Sequence, residues 1–255
     1  MNHQFISQFH KEHLEALRKK RLLVLAILFI AAGMMSPLIA KLTPELMKAA
    51  LPHTTQITFP EPSSVDAWGQ FFKNISQFGL LALVLLYGDT LAGEIERGTL
   101  LSLFPLGLKR RNVVLGKAAY LGVTWTGGYW LSFAICFGYT RYFFTDDLSQ
   151  NLASAVIPLW LYGLLLCALL ILASSVSNNG LQSLFYFALM FAASLVINLF
   201  QKINHYNPFS LGSENAKWLT GASDFTDSLP AVILAVTLLL LSIWCALKIF
   251  TKRLL

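Results

Sequence analysis

The sequence predicts an all-α membrane protein in which six helices cross the bilayer and both termini lie inside the cell. Three observations lead there. Hydrophobic residues make up 56% of the 255-residue chain and charged ones only 13%, with a mean hydropathy of +0.61, a composition far from that of water-soluble domains. Six stretches approach the ~20 apolar residues that a helix needs to cross a ~30 Å hydrocarbon layer, namely 22–40, 74–87, 118–140, 152–173, 181–200 and 229–247. Lysine and arginine then divide unevenly between the alternate connecting segments, with thirteen in 1–21, 88–117, 174–180 and 248–255 against six in 41–73, 141–151 and 201–228. Positive charge resists translocation, so the richer set is assigned to the inside. The net charge of +6 follows from that asymmetry and calls for no nucleic acid.

Each element has its own justification. Residues 2–18 read as an amphipathic helix, because Phe5, Ile6, Phe9, Ala16 and Leu17 fall within one third of a helical wheel while Ser7, Lys11, Glu15 and Arg18 lie opposite. Such a helix lies along the inner membrane surface, its end anchored at the headgroups by the basic run 18–21. Residues 1–21 thus form an interface element ahead of a single six-helix transmembrane domain, 22–255. No small-residue cleavage site follows the charged leader, so the first span is expected to be retained. His10 and His13 share a face, but no carboxylate or third ligand is placed beside them as a metal would require.

The outer segment 41–73 is longer than a simple connection. Thr43, Pro44 and Glu45 read as the start of a short helix that Pro52 ends, and Pro60 and Pro62 keep the chain extended. This segment either docks an extracytoplasmic partner or caps the bundle passively. The second apolar stretch is too short alone. It reaches full length if its helix begins near Ser64, since Val65, Trp68, Phe71, Phe72, Ile75 and Phe78 keep helical spacing.

Ala118, Gly122 and Thr126 give the third span a small-residue face suited to close helix packing, within the monomer or at a dimer seam. Tyr139 and Tyr142 sit at its outer edge like belt aromatics, and Pro158 is expected to bend the fourth span. Residues 174–179 turn tightly into the fifth, helped by Gly180. In 201–228, Asn207 and Pro208 stop one element, Ser213 with Glu214 caps another, and Trp218 and Leu219 are placed at the membrane interface. Cys136, Cys167 and Cys245 all fall inside spans without metal or disulfide spacing.

The segment 88–117 stands apart, for it alone among the connections combines carboxylates, glycines and a basic cluster. From Asp89 it reads as a helix to about Leu103, with Leu91, Ile95 and Leu100 on an apolar edge and Glu94, Glu96 and Arg97 polar. Pro105 and Gly107 break it. Lys109, Arg110 and Arg111 follow, then Asn112 as a candidate cap for the helix that leads into the third span. A solvated inner loop explains the lysines and arginines. It does not explain a helix that is acidic before it turns basic, and the segment reads as a surface that a soluble partner grips.

Gly93-Glu94-Ile95-Glu96-Arg97-Gly98-Thr99-Leu100, the leucine-rich run to Pro105, the basic pair Lys109-Arg110 and Leu115-Gly116-Lys117 resemble the signature of ABC-2 type transport permeases. The six-span layout, the inner N-terminal helix and the excursion between spans five and six fit that family less specifically. The resemblance implies that residues 89–104 hold a coupling helix seated in a cleft of a separate ABC ATPase subunit. Residues 2–18 would then be the connecting helix beside it. It implies roles in ATPase coupling for Gly93, Glu94, Glu96, Arg97, Gly98, Thr99 and Leu100, with Lys109, Arg110, Arg111 and Lys117 as an inner-face basic cluster. Glu94 and Glu96 would pair with basic groups on the connecting helix or the ATPase. The segment between spans five and six would dip back as short re-entrant helices, and two permeases, identical or different, would pair in a bacterial plasma or inner membrane.

Several functions are disfavoured. The nearest approach to a phosphate loop, 111–118, has Arg111 where the first glycine must be and Ala118 where Ser or Thr should hold magnesium. ATP and magnesium are therefore expected on a partner subunit, with no cofactor in this chain. No Asp, Glu, Lys, Arg or His lies mid-span, whereas ion-coupled carriers and intramembrane hydrolases need such groups at depth. Two readings remain: an ATP-driven exporter subunit for peptide, lipid-like or drug-like cargo, and a non-transporting membrane scaffold for a multi-subunit complex such as one in metalloenzyme maturation.

Overall fold

The structure is a computed structural model that describes residues 2–50, 61–100, 107–146, 148–149, 151–198, 206–221 and 225–253. Among these, the regular elements are all helical. In chain order they are α1 (Asn2–Arg18), α2 (Arg21–Ala50), α3 (Ser64–Asn74), a π-helical turn (Ile75–Gly79), α4 (Leu80–Tyr87), α5 (Ala92–Glu96), α6 (Arg110–Phe143), α7 (Leu152–Val176), α8 (Gly180–Asn198), a 3₁₀ turn (Pro208–Gly212), α9 (Asn215–Leu219), a second 3₁₀ turn (Phe225–Ser228) and α10 (Leu229–Lys252).

Among the described residues, four stretches are long and apolar enough to cross a bilayer: Arg21–Leu46, Ser64–Glu96, Leu152–Val176 and Leu229–Lys252. The second begins at Ser64, as the spacing of its aromatic residues requires. The other two expected spans are helices of different character. α6 is long, roughly 50 Å at ~1.5 Å per residue, but Lys117, Thr124, Thr126, Gly127, Gly128 and Ser132 dilute its apolar content. α8 is apolar, yet the stretch Gly180–Ser194 is shorter than a full crossing.

α2 runs unbroken through Pro37 and Pro44, so no separate helix starts at Thr43. The Thr43 hydroxyl instead donates to the Ile39 carbonyl at 2.6 Å, beside the Ala40 carbonyl that Pro44 leaves without its usual donor. Pro52 and Pro60 lie outside the described residues. At the far end of the bundle the Asp146 carboxylate accepts the Ser64 backbone N–H at 2.9 Å and ties the segment after α6 to the start of α3. That hydrogen bonding outweighs the opposing effect of burial and keeps the Asp146 carboxyl below its ordinary range.

α7 is the axis of the fold, packed against α6, α8, α9 and α10. Its contact with α6 depends on Gly163, where any Cβ would overlap the Trp125 indole. Trp125 donates to the Trp160 carbonyl at 2.9 Å, Trp160 to the Thr126 hydroxyl at 3.1 Å and Tyr129 to the Val156 carbonyl at 2.7 Å, so three aromatic donors stitch the two helices. The small face of α6 is therefore used within the chain: Gly122 faces Leu164, and Thr126 accepts from Trp160. Phe29 of α2 fills the gap beside Gly128, where a Cβ would lie 2.7 Å from its ring.

Between α8 and α10 the Asn207 side chain accepts from Phe209 N–H at 3.1 Å and starts the 3₁₀ turn. α9 begins after Glu214, and Trp218, expected at the membrane interface, is buried against the protein. It is 2% exposed, on a helix packed against α7 and α3, and the Asn215 amide donates to the Ala155 carbonyl of α7 at 2.9 Å. A short helix held this way is part of the bundle core.

Candidate functional site

The signature segment does not form one long helix. α5 is a short helix, Ala92–Glu96, closed by Gly98 at φ +67°, a left-handed conformation in which glycine carries no penalty. Thr99 and Leu100 resume a helical backbone, and residues 101–106 lie outside the described set. Leu91 and Leu100 are buried and Ile95 partly so, in keeping with the expected apolar edge. The first N–H groups of α5 are satisfied from outside, for the Ser174 hydroxyl of α7 accepts from Leu91 at 3.0 Å and Ala92 at 2.9 Å.

Glu94 is one of the two acids that the resemblance pairs with basic groups on residues 2–18 or on the ATPase. It is 3% exposed and meets two lysines: Lys11 of α1 contacts its Oε1, and the Lys117 ammonium of α6 lies 3.1 Å from the same atom. Lys117, itself 2% exposed, also donates to Glu12 of α1 at 2.7 Å, and Gln8 donates to Glu12 at 3.0 Å. Two cations and two anions thus neutralise one another where three helices converge, as burial of charge demands. Burial works against the Lys11 ammonium, but Glu94, with help from Glu12 and Glu15, more than offsets it and raises its pKa above the ordinary value. The second oxygen of Glu94 is buried with no hydrogen-bond partner among the described residues.

This geometry alters the simple picture of α1. Gln8, Glu12 and Ala16 form the seam that docks against α6, whereas Ile6 and Leu17 are exposed. Gly116 makes the approach possible, because a Cβ there would sit 2.8 Å from Gln8 Cγ. The seam is thus mixed: Gln8 and Glu12 meet α6 together with Ala16, and Phe9 packs edge-on to Tyr120, while Ile6 and Leu17 point away.

The remaining signature residues separate into braces and an exposed tip. Asp89 accepts from Arg21 of α2 at 3.0 and 3.2 Å, and Arg97 lies 3.9 Å from it. Gly93 packs on Asp89, its Cβ position 3.1 Å from the carboxylate. Glu96, Arg97 and Thr99 are exposed. Glu96 accepts the Gly180 N–H at 3.2 Å rather than pairing with a basic side chain. The basic residues do not form one patch: Lys109 and Arg111 are exposed, Lys117 is buried, and Arg110 donates to the Arg253 carbonyl. Arg253 in turn donates to the Ser175 and Ser177 carbonyls at 3.0 and 2.7 Å, capping the end of α7. Asn112 is not the cap of α6, which is preceded by Lys109. Its amide donates to Gln4 at 2.9 Å.

Sequence reasoning missed Glu12, Gln8 and Ser174. The first two recur at i and i+4 with Ala16, a seam legible only once Gly116 and Lys117 are known to face it. Nothing local marks Ser174, since its partners lie 82 and 83 residues away.

A multi-pass helical bundle that offers one short polar turn, backed by buried ion pairs, has the build of a membrane transport component. The family profile of the ABC-2 family transporter proteins matches residues 7–251, nearly the whole chain, and the chain belongs to that family. It is a permease component of an ABC transporter, a part that is not itself catalytic and whose family works with an ABC ATPase subunit. No curated protein matches the chain.

Proposed function

We propose that the chain is the membrane half of an ATP-driven exporter and that residues 89–104 are the handle through which a separate ATPase subunit moves it. The observation that carries this reading is the division of labour in the signature: Glu96, Arg97 and Thr99 are exposed, while Glu94 behind them is locked to Lys11 and Lys117. A partner pressing on the tip does not meet a loose loop. The displacement passes through Glu94 into α1 and α6 and, through Ser174, into α7. ATP and magnesium bind on the partner, and closure of two ATPase subunits drives two paired permeases, identical or different, between inward- and outward-open arrangements. Six crossings, cytoplasmic termini, re-entry at α9 and a bacterial plasma or inner membrane complete the reading.

The substrate class stays at the level of peptide, lipid-like or drug-like cargo. The test is reconstitution with the cognate ATPase and comparison of wild type with a chain carrying Glu96→Ala, Arg97→Ala and Thr99→Ala together. These side chains are exposed, so thermal stability is expected to hold. ATPase association or stimulated turnover is expected to fall at least ten-fold, the ratio for ~1.4 kcal/mol of lost contact. Unaltered binding and turnover in that variant would refute coupling through this turn. Normal binding without any effect of the permease on turnover would favour the scaffold reading.

A further inference from the structure

An apolar groove with a volume of about 450 Å3 runs between α1, α2 and α6, within the ~300–1,000 Å3 of ordinary ligand sites. None of its lining residues belongs to α5, so its role stands apart from ATPase coupling. α2 supplies Leu22, Leu25 and Phe29 to one wall, and α6 supplies Val123, Gly127 and Leu131 to the other. The floor has room: a Cβ added to Gly127 would meet no atom within 4 Å.

Length and charge identify the occupant. On α6 the groove extends from Tyr120 to Leu131, roughly 16 Å at ~1.5 Å per residue, which is half of a ~30 Å hydrocarbon layer. α2 lies in a stretch long and apolar enough to cross a bilayer, and with α6 as its expected neighbouring span the groove has the depth of one leaflet. α1 closes one end with Phe9, His10 and His13, and the His13 ring stands edge-on to Tyr120 with centroids 6.2 Å apart. His10 also lines a shallow surface pocket with Arg18 and Lys19. Lys19 is paired with Glu15 at 2.6 Å, while Arg18 and Lys20 are exposed and make no ion pair among the described residues. The apolar slot therefore ends at His10, which it shares with a surface pocket that Arg18 also lines.

We propose that this groove binds one acyl chain of an anionic phospholipid, drawn from the leaflet on the α1 side, with the phosphate near His10, His13, Arg18 and Lys20. A spanning helix from a second copy fits poorly, because it runs the full thickness of the layer, about twice the length of the groove. The lipid holds α1 against α2 and α6 by filling the space that their side chains leave open.

The test places the full chain in bilayers of equal parts phosphatidylglycerol and phosphatidylcholine with matched acyl chains, and weighs the lipid retained after gentle extraction by native mass spectrometry. Wild type is expected to keep phosphatidylglycerol in preference. Gly127→Leu fills the floor without striking the core and is expected to cut that retention roughly ten-fold with an unchanged melting temperature. His10→Ala combined with Arg18→Ala is expected to leave a lipid bound but abolish the preference. Equal retention of both lipids by wild type, or undiminished phosphatidylglycerol in Gly127→Leu, overturns the proposal. So does a Gly127→Leu chain whose monomer–dimer balance shifts while its lipid content stays constant, since the groove would then belong to a second copy.

Discussion

Lys117 is the residue on which the inner face of the bundle depends. It is a lysine at 2% exposure with two carboxylates, Glu12 at 2.7 Å and Glu94 at 3.1 Å, and removing one member of a buried ion cluster strands the others. Lys117→Met is expected to destabilise the chain by about 3–5 kcal/mol, read as a fall of the order of 10 °C in melting temperature in detergent or nanodiscs. Replacing Lys11, Lys117, Glu12 and Glu94 together by apolar residues is expected to recover most of that loss, because no stranded charge is then left to desolvate. A Lys117→Met chain that melts like wild type would show that the carboxylates find other partners. The sequence marks Lys117 only through its place in the signature, as a member of a basic cluster. Its burial was not legible, because the partners that neutralise it stand 105 and 23 positions away, and a lysine near the end of a span ordinarily reaches for water.

At the scale of elements, glycines decide which helices can meet. Gly116 admits α1 to α6, and a leucine there has no space, given Gln8 Cγ at 2.8 Å from the Cβ position. Gly116→Leu is expected to undock α1 while α6 stays packed on α7 through Trp125, Trp160 and Tyr129. Limited proteolysis would show it as cleavage within residues 2–20 at least ten times faster than in wild type, with the remaining chain protected. Equal cleavage rates would mean that α1 is held from elsewhere. Helix extents were readable where periodicity is uninterrupted, as in the aromatic spacing that starts α3 at Ser64. They were misread where one local pattern has two meanings. Thr43-Pro44-Glu45 is a sound helix start in water, but in an apolar helix the same proline is carried through, with Thr43 bonding back to the Ile39 carbonyl. The apolar edge that continues to Leu100 suggests a longer helix than α5, although Gly98 turns the backbone left-handed in between.

For the whole molecule, orientation decides whether the α5 turn can meet an ATPase at all. The helices fix relative positions: α5, the end of α10 and the α7–α8 turn share one end of the bundle through Glu96–Gly180 and Arg253–Ser177, and Tyr142 near the end of α6 is 81% exposed. Under the proposed function the first end faces the cytoplasm, as the excess of lysine and arginine in 1–21 and 88–117 leads one to expect. In a background with Cys136, Cys167 and Cys245 replaced by alanine, Arg97→Cys is therefore expected to react with an impermeant maleimide only after cells are permeabilised. Tyr142→Cys should react in intact cells. Labelling of both from outside would mean that α6, the long helix between them, does not cross. Labelling of Arg97→Cys alone in intact cells would invert the bundle. An inverted bundle would leave the buried Lys11–Glu94–Lys117 cluster intact and every packing distance unchanged, because those interactions are indifferent to which side the ATP is on. The proposed coupling through the tip, by contrast, requires the exposed turn and the nucleotide to share a compartment, so this labelling pattern tests that proposal where stability measurements cannot.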